Sequence, residues 1–169
     1  MQELILLNPE NITDEEAKEY PLREAARAVI FDTDDKVGLL YVSKHNYYKL
    51  PGGGLEGKED ATVALRRECL EEIGCDVDII QELGSIKEYR KIFGLTQISY
   101  CYLAKIKGNK TTPQLTDFEI ADGFRPVWLP YNDAKNVLAE SKATSDEGSL
   151  YIVPRDTIFL KEAGKYLKT

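Results

Sequence analysis

Histidine is almost absent. His45 is the one imidazole among 169 residues, so a serine–histidine or cysteine–histidine catalytic arrangement has no second candidate to be built on. Cysteine is scarce too. Cys69, Cys75 and Cys101 are an odd number without paired metal-ligand spacing, which argues against a disulfide framework and suits a reducing cytosol, where they read as buried and inert. No apolar run approaches the ~20 residues that cross a bilayer as a helix. The opening residues 1–7 are apolar, but they carry Glu3 and no basic flank and do not read as a signal peptide. Positive charge is in deficit. Lys and Arg number 22 against 29 Asp and Glu, and the resulting net charge of −7 opposes broad binding to a nucleic-acid backbone. A small anionic substrate stays open, provided that a cation offsets its charge. The expectation is a cytoplasmic protein with neither a membrane nor a long nucleic acid as partner. What remains is ordinary: 43% hydrophobic and 30% charged residues in a length that suits one domain.

Residues 4–7 read as a short strand. Thr13 at an N-cap and Glu16 three residues on then open an acidic helix to about residue 19. Residues 1–22 are therefore expected to be an N-terminal extension packed on a single domain, 23–169. Residues 23–31 and 37–42 should pair as a hairpin across the turn 32–35. Asp60 is a good N-cap for a helix over 61–73, and Gly74 falls where a left-handed residue ends it. Strands are predicted at 77–83, 85–90 and 97–106. The last alternates Ile98, Tyr100, Tyr102, Ala104 and Ile106 against Ser99, Cys101, Leu103 and Lys105. A polar loop over 107–116 ends in Asp117-Phe118-Glu119, and a strand over 124–129 should bury Trp128. Asn132 or Asp133 caps a helix to about 140, and Pro154-Arg155-Asp156 starts a last one to about 166. The fold class that follows is α/β, one mixed sheet between helices.

The segment 53–75 carries the chemistry. Glu68, Glu71 and Glu72 stand at i, i+3 and i+4, which puts three like charges on one helix face, where they repel. A hard cation such as Mg²⁺ or Mn²⁺ reverses the sign of that interaction, because carboxylate oxygens are its preferred ligands. Gly52, Gly53 and Gly54 just upstream let backbone approach the same ions and a phosphate chain. On the wheel, Val63, Leu65, Cys69, Leu70 and Ile73 form the apolar side, while only Ala61 and Ala64 accompany the glutamates. Arg67 borders Glu71 and can hold a neighbouring carboxylate in one rotamer. A solvated acidic helix face is the alternative. It would also have to account for Glu59, Arg67, Gly74 and the glycine run at their offsets.

The spacing G-x5-E-x7-R-E-C-L-E-E-I-G-C, from Gly53 through Glu59, Arg67, Glu68, Glu71 and Glu72 to Gly74 and Cys75, resembles the Nudix box. That box is the signature of the Nudix hydrolase family, of which MutT-like proteins are members. Every fixed position is filled; Cys69 and Cys75 stand where Ile, Leu or Val is usual, and cysteine packs there as a small hydrophobe. The hairpin at 25–43 and Lys49-Leu50-Pro51-Gly52-Gly53 also look like the family's approach to the box. The resemblance implies an α/β/α sandwich and hydrolysis of a diphosphate that joins a nucleoside to another group. It implies metal on Glu68, Glu72 and Glu71 with the Gly52 carbonyl, and Glu59 supporting Arg67. Glu68, Glu71, Arg67 and Glu119 are the catalytic candidates. Glu119 answers to an additional carboxylate that members often place outside the box, where a plain surface acid is the other reading and Glu88 competes.

Tyr48, Lys49, Gly53, Gly54 and Arg90 are the substrate-binding candidates. Tyr47, Tyr89 and Phe93 are further aromatics for stacking on a base, Lys91 is a further cation, and His45 reads as a loop residue near the substrate. By resemblance to short members, a nucleoside triphosphate, oxidised ones such as 8-oxo-dGTP included, is the expected substrate. ADP-ribose or a nucleotide sugar comes second and an RNA 5′ end third. A domain that senses a nucleotide without cleaving it is the competing class, although no carboxylate is lost here. The acidic N-terminal segment suits an interaction protein or a homodimer contact.

Overall fold

The alternation of apolar residues along the strands sets the layering. A computed structural model describes residues 1–167, and its elements run β1 (Glu3–Leu7), α1 (Asp14–Lys18), β2 (Leu22–Phe31), β3 (Lys36–Val42), β4 (Tyr47–Lys49), α2 (Ala61–Ile73), β5 (Asp76–Arg90), β6 (Leu95–Lys107), α3 (Asp117–Asp122), β7 (Phe124–Pro130), α4 (Tyr131–Ala139) and α5 (Val153–Ala163). Ala26, Ala28 and Ile30 of β2 pack with Leu65, Cys69 and Ile73 of α2, whereas Val29 and Phe31 pack with Leu138 of α4 and Phe159 and Leu160 of α5. Tyr102 and Ala104 of β6 join the first cluster, and Cys101 and Leu103 the second. The sheet is thus covered on both faces, an α/β/α sandwich.

The seven strands form one mixed sheet in the order β1-β5-β6-β2-β3-β4, with β7 paired to β3. β2 runs parallel to β6 over its whole length, β1 runs parallel to β5, and the remaining pairs are antiparallel. The hairpin of β2 and β3 is pinned only beside its turn, at Ile30↔Gly38 and Phe31↔Val37. Further along, the glycine loop takes the free edge of β2. Ala26 N–H donates to Gly53 O (2.9 Å) and Ala28 N–H to Pro51 O (3.1 Å). The two halves of the sheet splay there, and the opening is the cleft described below.

Six local expectations are corrected. β5 is one strand, not two: Gly84 sits at a bulge with φ +137°, and a Cβ there would meet Leu4 Cγ at 2.6 Å, so the glycine admits β1 rather than a turn. Asp117-Phe118-Glu119 is helical, because Thr116 and Glu119 cap α3 reciprocally. α4 starts at Tyr131 behind Pro130, without a side-chain cap from Asn132 or Asp133. The last helix begins earlier than Pro154, through a π-helical turn at Gly148–Ile152, and α5 ends at Ala163. On α2, Val63 and Leu70 are half exposed while Glu72 is buried, because the helix turns its Glu72 side toward the sheet, where a lysine and a backbone N–H meet that carboxylate. Trp128 packs only partly buried against the α2 cluster, its ring so close to Gly38 that a Cβ there would lie 2.9 Å away.

Candidate active site

α2 is held at both ends by residues the sequence supplies. Asp60 accepts from Thr62 N–H (2.8 Å) and Val63 N–H (2.9 Å). Gly74 ends the helix at φ +66°, and a Cβ on it would sit 2.0 Å from Thr111 O. Between these stops the helix offers its glutamates to the glycine loop. A Cβ at residue 53 would lie 2.2 Å from Glu68 Oε1, so only glycine lets the loop pass that carboxylate.

Arg67 gathers the box. Its Nε and Nη2 donate to the two oxygens of Glu59 (2.9 and 3.0 Å), Nη1 to Glu68 (2.9 Å) and Glu71 (3.2 Å), and Nη2 also to Gly54 O (3.1 Å). The two-pronged bond from Arg67, with a backbone N–H from Glu56, holds the Glu59 carboxyl down at about 2. The same carboxylates push the Arg67 guanidinium further up, Glu59 foremost. Glu72 is 1% exposed and takes a hydrogen bond from Lys49 Nζ (2.7 Å) and one from Gly52 N–H (2.6 Å). Burial pushes its carboxyl up; Lys49 and the Gly52 N–H pull against that, and Glu68 adds to it.

These groups lie on a cleft of about 500 Å³. Of the residues singled out from the sequence, Lys49, Gly52, Gly53, Gly54, Glu68, Glu72, Arg90 and Glu119 line it. Glu71 stays on the α2 surface beside Arg67, and Glu59 and Gly74 act behind the wall. Tyr48 does not line the cleft: it stacks on Tyr41 (4.8 Å) and packs toward the α4–α5 core, and its strand neighbour Tyr47 faces the cleft instead, as alternation requires. Phe93 lines the cleft too, whereas Tyr89 is buried and donates to Asp14 (2.9 Å). Lys91 pairs with Glu16 (3.4 Å) and His45 approaches Asp122 (3.8 Å). Glu119 spends Oε2 on the α3 cap, with Thr116 N–H at 2.7 Å. Glu88 is fully buried against Gln97 (2.7 Å) and Arg155 (3.6 Å), away from the glutamates of α2. All three cysteines are buried, and burial raises their thiols.

Sequence reading missed Arg23, Arg27 and Arg155, which line the opposite wall. The signal was available for two of them: arginines four apart in an alanine-rich strand share one face.

The donors beside the glycine loop are all oxygen and mostly anionic, Glu68, Glu71, Glu72 and the Gly52 carbonyl, which fits a hard divalent ion rather than a soft one. Among the described residues no three acidic, imidazole or thiol groups converge as a ready coordination sphere; Arg67 and Lys49 hold the carboxylates instead.

Solved structures share this fold. A MutT protein from Methanosarcina mazei superposes with a TM-score of 0.60 at 15% identity, over 89% of this chain and 99% of that one. A NUDIX hydrolase from Nitrosomonas europaea gives 0.59 at 22% identity, over 88% and 97%. The family model for the NUDIX domain matches residues 21–150, and the chain belongs to that family. Among curated proteins, an RNA pyrophosphohydrolase from Dinoroseobacter shibae is 30% identical over 82 residues, 47% of this chain and 51% of that protein. The chain thus spans about half the length of the curated relative that it matches.

Proposed function

We propose that the protein is a metal-dependent hydrolase that cleaves a diphosphate linkage in a nucleotide, with a nucleoside triphosphate as substrate. One observation carries the reading: a single arginine ties Glu59, Glu68 and Glu71 together beside a glycine loop that only a missing Cβ lets past Glu68. Mg²⁺, with Mn²⁺ as the alternative, would be held by Glu68, Glu71, Glu72 and the Gly52 carbonyl, and would supply charge neutralisation on the phosphate oxygens and a more acidic water. The protein's own part is orientation. Arg67 keeps the carboxylates in single rotamers, and Lys49 offsets the Glu72 charge at the cleft floor. Glu68 and Glu119 both line the cleft, and we assign to one carboxylate of this pair the proton from the attacking water; the water oxygen bonds to the nucleoside-linked phosphorus as the anhydride P–O bond breaks, and the distal part of a triphosphate leaves as pyrophosphate. Phe93, Tyr47 and Phe124 are the aromatics on the cleft available to a base.

A second reading is a triphosphorylated RNA 5′ end, favoured by the name of the curated relative and opposed by the net charge of −7. ADP-ribose or nucleotide sugars remain the alternative within the family. The test is a panel of nucleoside triphosphates, ADP-ribose, nucleotide sugars and 5′-triphosphorylated RNA, assayed with Mg²⁺ and again after exhaustive chelation. The expected result is hydrolysis of a nucleoside triphosphate that disappears on chelation. No turnover of any member, or turnover undiminished by chelation, overturns the reading.

A further inference from the structure

The hydrolytic chemistry leaves one wall of the cleft idle. Arg23 and Arg27 come from β2, Arg90 from the end of β5 and Arg155 from α5, and all four line the opening. Three of them have partners. Arg155 bonds Asp156 (2.7 Å), Arg90 bonds Glu147 (2.7 Å) and Gln97 (3.1 Å), and Arg23 bonds Gln97. Arg27 differs. It is only 6% exposed, and its Nε and Nη1 are out of water without a hydrogen-bond partner among the described residues. Burial and the nearby Arg155 pull its guanidinium down to about 10, so it is still a cation at neutral pH. A buried, unpaired guanidinium is costly, and a fold keeps one most readily where an anion arrives to complete it. A guanidinium fork matches a phosphate through two hydrogen bonds. Neighbouring charge points the same way: at Arg23, after burial, the repulsion from Arg90 and Arg155 ranks ahead of the opposing pull of Glu147 and Glu88.

We infer that Arg27, with Arg23 beside it, seats a phosphate of the substrate that lies beyond the diphosphate engaged at the α2 glutamates. This rests on the hydrolase reading for the placing of that diphosphate, and it narrows the substrate class. The group attached beyond that diphosphate is then a third phosphate, as in a triphosphate, and not the neutral sugar of a nucleotide sugar.

Binding and kinetics test it separately. With chelator present, where no metal can bring phosphate to the glutamates, the intact protein is titrated calorimetrically with inorganic triphosphate. Saturable binding is expected, weakened about tenfold or more in Arg27→Gln, in line with the loss of a charged hydrogen-bond partner. Arg23→Gln, at a less buried position, should weaken it in the same direction and covers the case in which Arg27→Gln does not fold. In the kinetic arm with Mg²⁺, Arg23→Gln and Arg27→Gln should raise KM for a nucleoside triphosphate while leaving KM for a nucleotide sugar within about twofold. Absence of triphosphate binding in the wild type, or equal binding by wild type and folded variants, overturns the seat. Weakened binding with KM raised equally for both substrates makes it a site for free phosphate and overturns the substrate assignment. A hydrolytically silent panel with intact triphosphate binding would sink the hydrolase reading and leave the seat standing.

Discussion

The acidic wall that α2 gives the cleft comes from one stretch of chain, while the basic wall is assembled from β2, β5 and α5. Glu59, Arg67, Glu68, Glu71 and Glu72 lie within fourteen positions, and Arg67 ties them over short sequence separations. Arg27 and Arg155 are brought together only by the whole sandwich. Each carboxylate of the acidic wall also has a partner, Glu72 through both oxygens, whereas among the described residues the basic wall keeps unpaired donors on Arg27, Arg90 and Arg155. A wall satisfied within itself keeps its geometry before substrate arrives, which suits chemistry; a wall left unsatisfied gains by meeting an anion, which suits binding. On that contrast, substitutions in the acidic wall should act on kcat and those in the basic wall on KM.

The largest effect is expected at Glu72. Glu72→Gln keeps the shape while removing charge from the buried end of the acidic wall, and it leaves one acceptor oxygen where Lys49 Nζ and Gly52 N–H use two. Turnover should fall by about two or more orders of magnitude with substrate still bound. Steady-state kinetics and a binding isotherm decide: a wild-type rate means that the box is not the catalytic centre, and a loss confined to KM erases the difference between the walls.

A smaller loss is expected from Gly53→Ala. The new methyl would meet the far end of a flexible side chain, Glu68 Oε1 at 2.2 Å, so the carboxylate should swing away while the fold survives. We expect kcat to fall about tenfold to a hundredfold, the scale on which misplaced catalytic groups are felt, with a melting temperature close to wild type. If the rate holds, Glu68 does not need its place under the loop.

The acidic wall was legible in the sequence because helical spacing alone puts Glu68, Glu71 and Glu72 on one face, and caps at Asp60 and Gly74 bound the helix. The layering was legible for the same reason, since alternation in residues 97–106 sorts side chains onto two faces. What escaped depended on distance in space. The wheel put Leu70 with the apolar side, yet only tertiary packing tells that Glu72 turns inward to Lys49 and Gly52. Tyr48 and Tyr47 are equal in the sequence, and the register of β4 against β3 selects Tyr47 for the cleft. The π-helical turn at Gly148–Ile152 had no local pattern strong enough to announce it, and although Arg23 and Arg27 share a strand face, their meeting with Arg90 and Arg155 depends on the tertiary fold.

The gentlest expected effect concerns how the acidic wall is held. Glu59 grips Arg67 through both oxygens, and that contact lowers its carboxyl from an ordinary value of 4.5 to about 2. A carboxylate whose folded pKa lies below its unfolded value contributes stability that is present above the unfolded pKa and lost as pH falls through the folded one. Melting temperature should therefore drop between about pH 4.5 and 2 more steeply in the wild type than in Glu59→Gln, and the gap between the two should be widest at neutral pH and close near pH 2. The gap should be a few degrees at most, because the pair lies near solvent. Thermal melts across that range decide the matter. Parallel curves for the two proteins would mean that Glu59 does not fasten Arg67, and the order of the acidic wall would then have to come from Glu68, Glu71 and the Gly54 carbonyl alone.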